Sequence, residues 1–145
     1  MEREEILSRM IGGLDCGQLT ASAFSEELGL PEERIQMLTS AFGGGMYSGD
    51  TCGAVNGALV VLGALFGFSE PFTLSDKDKI REKTLEFRRR FAEKHGSCIC
   101  REILGADCGT PEGMAEIMEK GLLNTVCPAV VADAIEIVEE LIDED

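Results

Sequence analysis

Apolar residues recur about every 3.6 positions in nearly every segment of this chain, which is the spacing of an amphipathic helix. No run of about four to eight residues alternates apolar and polar well enough to predict a strand. We therefore predict an all-α fold. The chain has 145 residues and shows neither a linker nor an internal repeat, so we expect residues 1–145 to form a single domain. This domain should be a compact bundle of about six to eight helices.

Glycine and proline signals divide the periodic pattern into individual helices. One helix should start at Pro31 and carry Ile35, Leu38 and Phe42 on one face. A further helix should begin at Cys127 and run toward the carboxyl terminus. The remaining predicted helices cover residues 2–10, 15–29, 52–66, 76–93, 97–104 and 110–120.

The segment from Cys52 to about Phe66 is the most apolar part of the chain and contains no charged residue. Gly53 and Gly57 are four positions apart, so one face of this predicted helix lacks bulk and another backbone or a ligand can approach it closely. The segment is shorter than the ~20 residues that a membrane-spanning helix needs. We predict no membrane insertion, and instead a central helix that is buried more completely than any other.

The chain has a net charge of −14, which argues against nucleic acid as a partner. Such a charge repels a phosphate backbone, so we expect no nucleic acid to bind.

The charged amino terminus, Met1-Glu2-Arg3-Glu4-Glu5, lacks the basic and then apolar order of a secretory signal, and a cytoplasmic location is expected. Cysteine clusters in that reducing compartment more often bind metals or perform redox chemistry than form structural disulfides.

Four of the six cysteines fall in the first turns of four predicted helices. The first turn presents unpaired N–H groups and the positive end of the helix dipole, which favour a thiolate, the form that attacks disulfides and binds metals. These four, Cys16, Cys52, Cys100 and Cys127, are the candidate redox thiols and metal ligands. Cys98 could resolve a disulfide with Cys100, but we expect both Cys98 and Cys108 to be dispensable for the main site.

Other residues are candidates for lining this site. Tyr47 follows the glycine-rich stretch 43–45, and Gly53 and Gly57 lie just after Cys52. His95, the only histidine, either interacts with the end of its helix or donates protons near the cysteines. The chain has no closely spaced Cys-x-x-Cys pair, so spacing alone identifies no metal, and inert buried thiols remain an alternative.

The stretch Thr51-Cys52-Gly53-Ala54-Val55-Asn56-Gly57 resembles the signature of the redox-active protein family named for its C_GCAxxG_C_C cysteine pattern. The resemblance extends from about Leu14 to Leu141, and it assigns the family's four cysteines to Cys16, Cys52, Cys100 and Cys127. Gly17 departs from the alanine that is more usual after the first cysteine, and Cys98 and Cys108 are additional to the pattern.

The resemblance implies a redox or electron-transfer role, as an oxidoreductase or an electron carrier. The family is similar to the cysteine-bearing part of split-Soret cytochromes, for which an iron–sulfur centre has been proposed. The four thiols would then hold a [2Fe–2S] cluster or form two dithiol pairs, and zinc is the non-catalytic alternative. No haem is expected, because the chain lacks Cys-x-x-Cys-His. An acidic helical interaction module with inert thiols, an unidentified redox partner and a homodimer also remain open.

Overall fold

Ten α-helices and one π-helical turn form the computed structural model, which describes residues 1–145. The chain contains no strand, only an isolated antiparallel bridge between Thr51 and Ile99, so the all-α prediction is confirmed. The helices are α1 Arg3–Ile11, α2 Cys16–Ser22, α3 Ser25–Leu28, α4 Glu32–Leu38, α5 Gly53–Phe66, α6 Leu74–His95, α7 Cys100–Leu104, α8 Pro111–Lys120, α9 Leu122–Thr125 and α10 Cys127–Asp143, with the π turn at Gly45–Gly49.

The chain has more helices than the six to eight expected, because the predicted segment 15–29 is divided and α9 lies where no helix was predicted. The segment 15–29 breaks into α2 and α3 at Phe24, whose backbone angles (φ −106°, ψ 26°) are not helical. This break turns the Phe24 side chain into the core, where it is 3% exposed. The helix after Pro31 ends at Leu38, which leaves Leu38 63% exposed instead of sharing the buried face of Ile35.

The central helix α5 packs against α2, α6 and α10. Gly57 makes the contact with α2 close: a Cβ on this residue would lie 2.6 Å from the carbonyl oxygen of Gly17. Seven of the 14 residues of α5 are buried, but α2 buries five of seven. The expectation that α5 is the most buried helix is therefore wrong. The reason is that α2 is covered by α4, α5 and α10, while Gly63 and Ala64 of α5 face solvent.

The buried apolar residues form two separate clusters. The large cluster joins α1, α2, α5, α6 and α10 and includes Cys52 and Cys98, with Cys16 packed at its edge. The small cluster consists of Cys100, Leu104, Ala106 and Ile117, with Cys108 and Cys127 packed against it. The six cysteines are thus divided between the two clusters.

No single helix is long and apolar enough to cross a membrane. One pair of segments, Pro111–Lys120 and Leu122–Asp143, reaches such a length and composition only when taken together, with a bend of 57° between them.

Candidate functional site

A cavity of about 300 Å³ lies where the two apolar clusters meet, and five cysteines line it. Four of them are the candidates named from the sequence, and the fifth is Cys108. Most of the other lining residues are apolar, among them Leu14, Ile103, Leu123 and Val130. All six cysteines of the chain are free thiols in the structure.

A short backbone bridge positions Cys52 and Cys100 at the cavity. The N–H of Cys52 donates to the carbonyl oxygen of Cys98 at 2.8 Å, and the N–H of Cys100 donates to that of Asp50 at 2.6 Å. These bonds flank the Thr51–Ile99 bridge and tie the start of α5 to the start of α7. Both cysteines are nearly buried, at 6% and 7% exposure.

Cys16 and Cys127 are the first residues of α2 and α10. Both residues are partly exposed. Gly53 gives Cys16 room beside α5, because a Cβ at this position would lie 2.6 Å from the Cys16 sulfur. Pro128 in the first turn of α10 suits the helix start that places Cys127.

Burial and the neighbouring thiols raise the pKa values of three of these cysteines. The hydrogen bond with Cys52, together with burial, raises the pKa of Cys16 well above its ordinary value. Burial, followed by the charges of neighbouring cysteines, raises the pKa of Cys100 and that of Cys127 to about 12 each. These three side chains are therefore neutral thiols near neutral pH.

This result corrects the expectation that helix N-termini would hold the cysteines as thiolates. A helix terminus contributes about 0.3–1 kcal/mol, which is less than one pKa unit. Burial alone can shift a pKa by about 3–5 units, and each additional thiolate would repel the others. In this cavity, burial and mutual repulsion outweigh the helix dipoles.

Of the four residues expected to line the site, two do so in the structure and two do not. Tyr47 and Gly53 line the cavity. Tyr47 is 64% exposed, and its hydroxyl donates to the carbonyl oxygen of Ser40 at 3.2 Å. Gly57 does not line the cavity, because it faces the backbone of Gly17. His95 is also elsewhere: it ends α6, packs against Phe91 with the two rings tilted by 43°, and places its Nε2 3.0 Å from Oδ2 of Asp133 on α10.

The two additional cysteines differ in location. Cys98 does not line the cavity; its thiol donates to the carbonyl oxygen of Arg88 at 3.6 Å within the large cluster. It is therefore placed away from the cavity in which Cys100 lies. Cys108, expected outside the main site, lines the cavity, and its thiol donates to the carbonyl oxygen of Gly44 at 2.9 Å. The expected location of Cys108 is thus corrected.

Sequence reasoning also missed Asp15, which lines the cavity beside Cys16. Burial raises the pKa of this carboxyl group. Asp15 comes directly before α2, and in the sequence this position indicates only a helix cap. In the structure the N–H of Asp15 donates to the side-chain oxygen of Gln18 at 2.9 Å. Apart from the cysteines, Asp15 and Tyr47 are the only titratable residues lining the cavity.

Thiolates are suitable ligands for zinc and for iron–sulfur clusters. In this structure, however, no three His, Cys, Asp or Glu side chains are grouped so that they could hold a metal ion. The arrangement of the thiols therefore does not fit a metal centre, whereas a dithiol needs only two neighbouring sulfurs.

A family model described as "Putative redox-active protein (C_GCAxxG_C_C)" matches residues 14–141. The chain therefore belongs to this family, as its cysteine pattern indicated, and the membership supports a general redox role. Comparison with curated proteins and with solved structures found no match.

Proposed function

We propose that Cys16, Cys52, Cys100 and Cys127 form one thiol redox centre that exchanges electrons with a disulfide of a partner. One observation carries this proposal: four cysteines at the starts of four different helices line the same cavity. Membership in a family of redox-active proteins supports it independently.

Cys16 and Cys52 are the proposed reactive pair. The Cys16 sulfur lies against the backbone of Gly53, the residue that follows Cys52, and both thiols line the same cavity, so the two cysteines are placed to form a disulfide. Residue Cys16 is partly exposed and lines the cavity, whereas Cys52 is 6% exposed. Cys16 is therefore the attacking residue, and Cys52 resolves the mixed disulfide.

The proposed reaction is thiol–disulfide exchange. Cys16 gives its proton to the Asp15 carboxylate, and its sulfur attacks the partner's disulfide, which releases one partner thiolate and leaves a mixed disulfide. The released thiolate takes the proton from Asp15. Cys52 then loses its proton and attacks the Cys16 sulfur, which releases the second partner thiol and forms the Cys16–Cys52 disulfide. The protein's two thiols are oxidised by two electrons, and the partner's disulfide is reduced to two thiols.

The raised pKa values explain the role proposed for Asp15. A neutral thiol is a poor nucleophile, so Cys16 needs a proton acceptor. A carboxylate whose pKa is raised by burial accepts a proton more readily than an ordinary one.

A [2Fe–2S] cluster or a zinc ion held by the same four cysteines is the alternative proposal. It would require these side chains to move, because they are not grouped for metal binding in this structure. Elemental analysis and visible absorbance of protein prepared without oxygen decide between the alternatives. A stoichiometric metal ligated by these cysteines would contradict the dithiol mechanism.

Reduction of an added aromatic disulfide by the reduced protein tests the dithiol mechanism. Cys16→Ser should abolish the fast phase of reduction. Cys52→Ser should accumulate the mixed disulfide, because the resolving thiol is missing. Cys98→Ser, which changes a cysteine outside the cavity, is the matched control and should react like the wild type. Equal rates in all three variants would contradict the assignment.

A cytoplasmic location, an unidentified redox partner and a homodimer remain predictions. The location is consistent with the mechanism, because a reducing compartment would return the disulfide to the dithiol.

A further inference from the structure

We propose that Cys108, which lies outside the family's four-cysteine pattern, is the disulfide partner of Cys100, so that the cavity holds a second dithiol. This inference rests on the proposed redox function and extends it to a fifth thiol.

The first support is that Cys100 and Cys108 share both the cavity and the small apolar cluster. Cys52 belongs to the large cluster, and Cys16 is packed against it. Cys127 also packs against the small cluster, so the small cluster brings two candidate partners to Cys100.

The path of the chain after α7 brings Cys108 back toward Cys100. Helix α7 ends after one short turn at Gly105, whose φ of 75° lies in the left-handed region that glycine adopts readily. A turn at Asp107 follows, in which its carboxylate accepts from the N–H of Gly109 at 2.8 Å. Cys100 and Cys108 therefore lie at the two ends of one short segment in which the chain reverses direction.

Gly44, in the glycine-rich stretch 43–45, holds the Cys108 thiol in position. Besides accepting the S–H at 2.9 Å, Gly44 leaves space that a side chain would fill: its Cβ would lie 2.7 Å from the Cys108 sulfur. Gly44 also has a φ of 59°, which other residues rarely adopt. The contact gives the glycine-rich stretch 43–45 a specific role in holding Cys108.

Cys127 is the competing partner for Cys100, since both belong to the family pattern. Cys108 has the closer relationship, because it follows Cys100 around the reversal at Gly105 and its thiol is held at the cavity by Gly44. Its charge also raises the pKa of Cys100 more than those of Cys16 and Cys127 do. Cys127 comes from a different helix, α10, and the charges that raise its own pKa are those of Cys16 and Cys108. Cys127 is therefore the unpaired thiol of the cavity.

The chemistry is the exchange proposed for the first pair. One thiol of the Cys100–Cys108 pair loses its proton and attacks a low-molecular-weight disulfide such as oxidised glutathione, which forms a mixed disulfide and releases one glutathione thiolate that takes up the proton. The second thiol then loses its proton and attacks the protein sulfur of the mixed disulfide, which forms the Cys100–Cys108 disulfide and releases the second glutathione as a thiol. The pair loses two electrons and two protons, and the small disulfide gains them and becomes two thiols.

Disulfide mapping after equilibration with oxidised glutathione tests the proposal. Tryptic cleavage places Cys100 in peptide 95–101, Cys108 in 102–120 and Cys127 in 121–145. Peptide 95–101 also contains Cys98, so the mapping is done on Cys98→Ser as well as on the wild type. Cys108→Ser is the matched variant, and circular dichroism verifies that both variants fold.

We expect peptide 95–101 to be linked to 102–120 in the wild type and in Cys98→Ser. In Cys108→Ser, this link should be lost while the Cys16–Cys52 disulfide still forms. A link from peptide 95–101 to 121–145, or a Cys108 that stays reduced while Cys16–Cys52 oxidises, would overturn the inference and leave the proposed function intact. Absence of every reversible disulfide would overturn both.

Discussion

A Cβ on Gly53 would lie 2.6 Å from the sulfur of Cys16, so the thiol occupies space that exists only because residue 53 has no side chain. The same Cβ would lie 2.7 Å from the carbonyl oxygen of Phe42. The glycine after Cys52 in the family signature is therefore part of the cysteine site, because it allows the start of α2 to approach the start of α5.

Gly53→Ala should displace Cys16 and destabilise the fold by about 1–3 kcal/mol, the usual cost of overpacking. The rate at which Cys16 reacts with the aromatic disulfide should change as well. Gly63→Ala is the matched control on α5, since no atom lies within 4 Å of its Cβ and the residue is exposed. It should stabilise the helix by about 0.5–1 kcal/mol and leave the thiol reaction unchanged. Equal effects of the two variants in urea unfolding would contradict this account.

Alkaline pH should destabilise the folded protein through its thiols. Folding raises the pKa values of Cys100 and Cys127 from the ordinary 9.0 to about 12. Above pH 9.0 the unfolded chain releases thiol protons that the folded chain retains. The free energy of unfolding should therefore fall as the pH rises from 9.0 toward about 12, because deprotonation of these thiols favours the unfolded chain.

Urea unfolding of the reduced protein at about pH 8 and about pH 10.5 measures this loss. Cys100→Ser removes one of the titrating groups, so the decrease in unfolding free energy should be smaller in the variant. A decrease of the same size in both proteins would show that other groups cause it.

Asp15→Asn tests the proposed proton acceptor. Asparagine has nearly the same shape and caps helices as well as aspartate does, so α2 should be retained. Reduction of the aromatic disulfide near neutral pH should slow by about tenfold or more, because a general base has been removed. Removing the Asp15 charge should also lower the pKa of Cys16, since that charge contributes to raising it. Faster reduction in the variant would show that Asp15 acts on Cys16 only through its charge.

His95→Gln should leave the reaction of the cavity thiols unchanged, because His95 lies between Phe91 and Asp133 and not at the cavity. Loss of the His95 ring that packs against Phe91 should lower stability by about 0.5–1.5 kcal/mol. A slower thiol reaction in a folded variant would return His95 to the list of functional residues.

The sequence predicted the starts of α2 and α10, which carry two of the candidate cysteines, because local signals determine them. Pro128 follows Cys127, and Asp15 precedes Cys16, so these two helix starts required no tertiary information. The positions of Cys108 and His95 depend on tertiary contacts instead. Cys108 reaches the cavity through the reversal at Gly105 and the contact with Gly44, and neither is visible in the spacing of the cysteines.

The protonation state of the thiols also required the structure. The sequence shows that each candidate cysteine lies near a helix start, but it does not show that they are buried together. Cys100 is 7% exposed and is influenced by the charges of Cys108, Cys16 and Cys127, which is a consequence of the fold as a whole.

The most direct test of the central proposal is whether Cys16 and Cys52 form a reversible disulfide. Tryptic cleavage places these two cysteines in peptides 10–34 and 35–77, each of which contains no other cysteine. In metal-free protein equilibrated with oxidised glutathione, the two peptides should be linked, and reduced dithiothreitol should separate them. Finding both peptides unlinked, or each linked only to glutathione, would contradict a redox centre built on the Cys16–Cys52 dithiol.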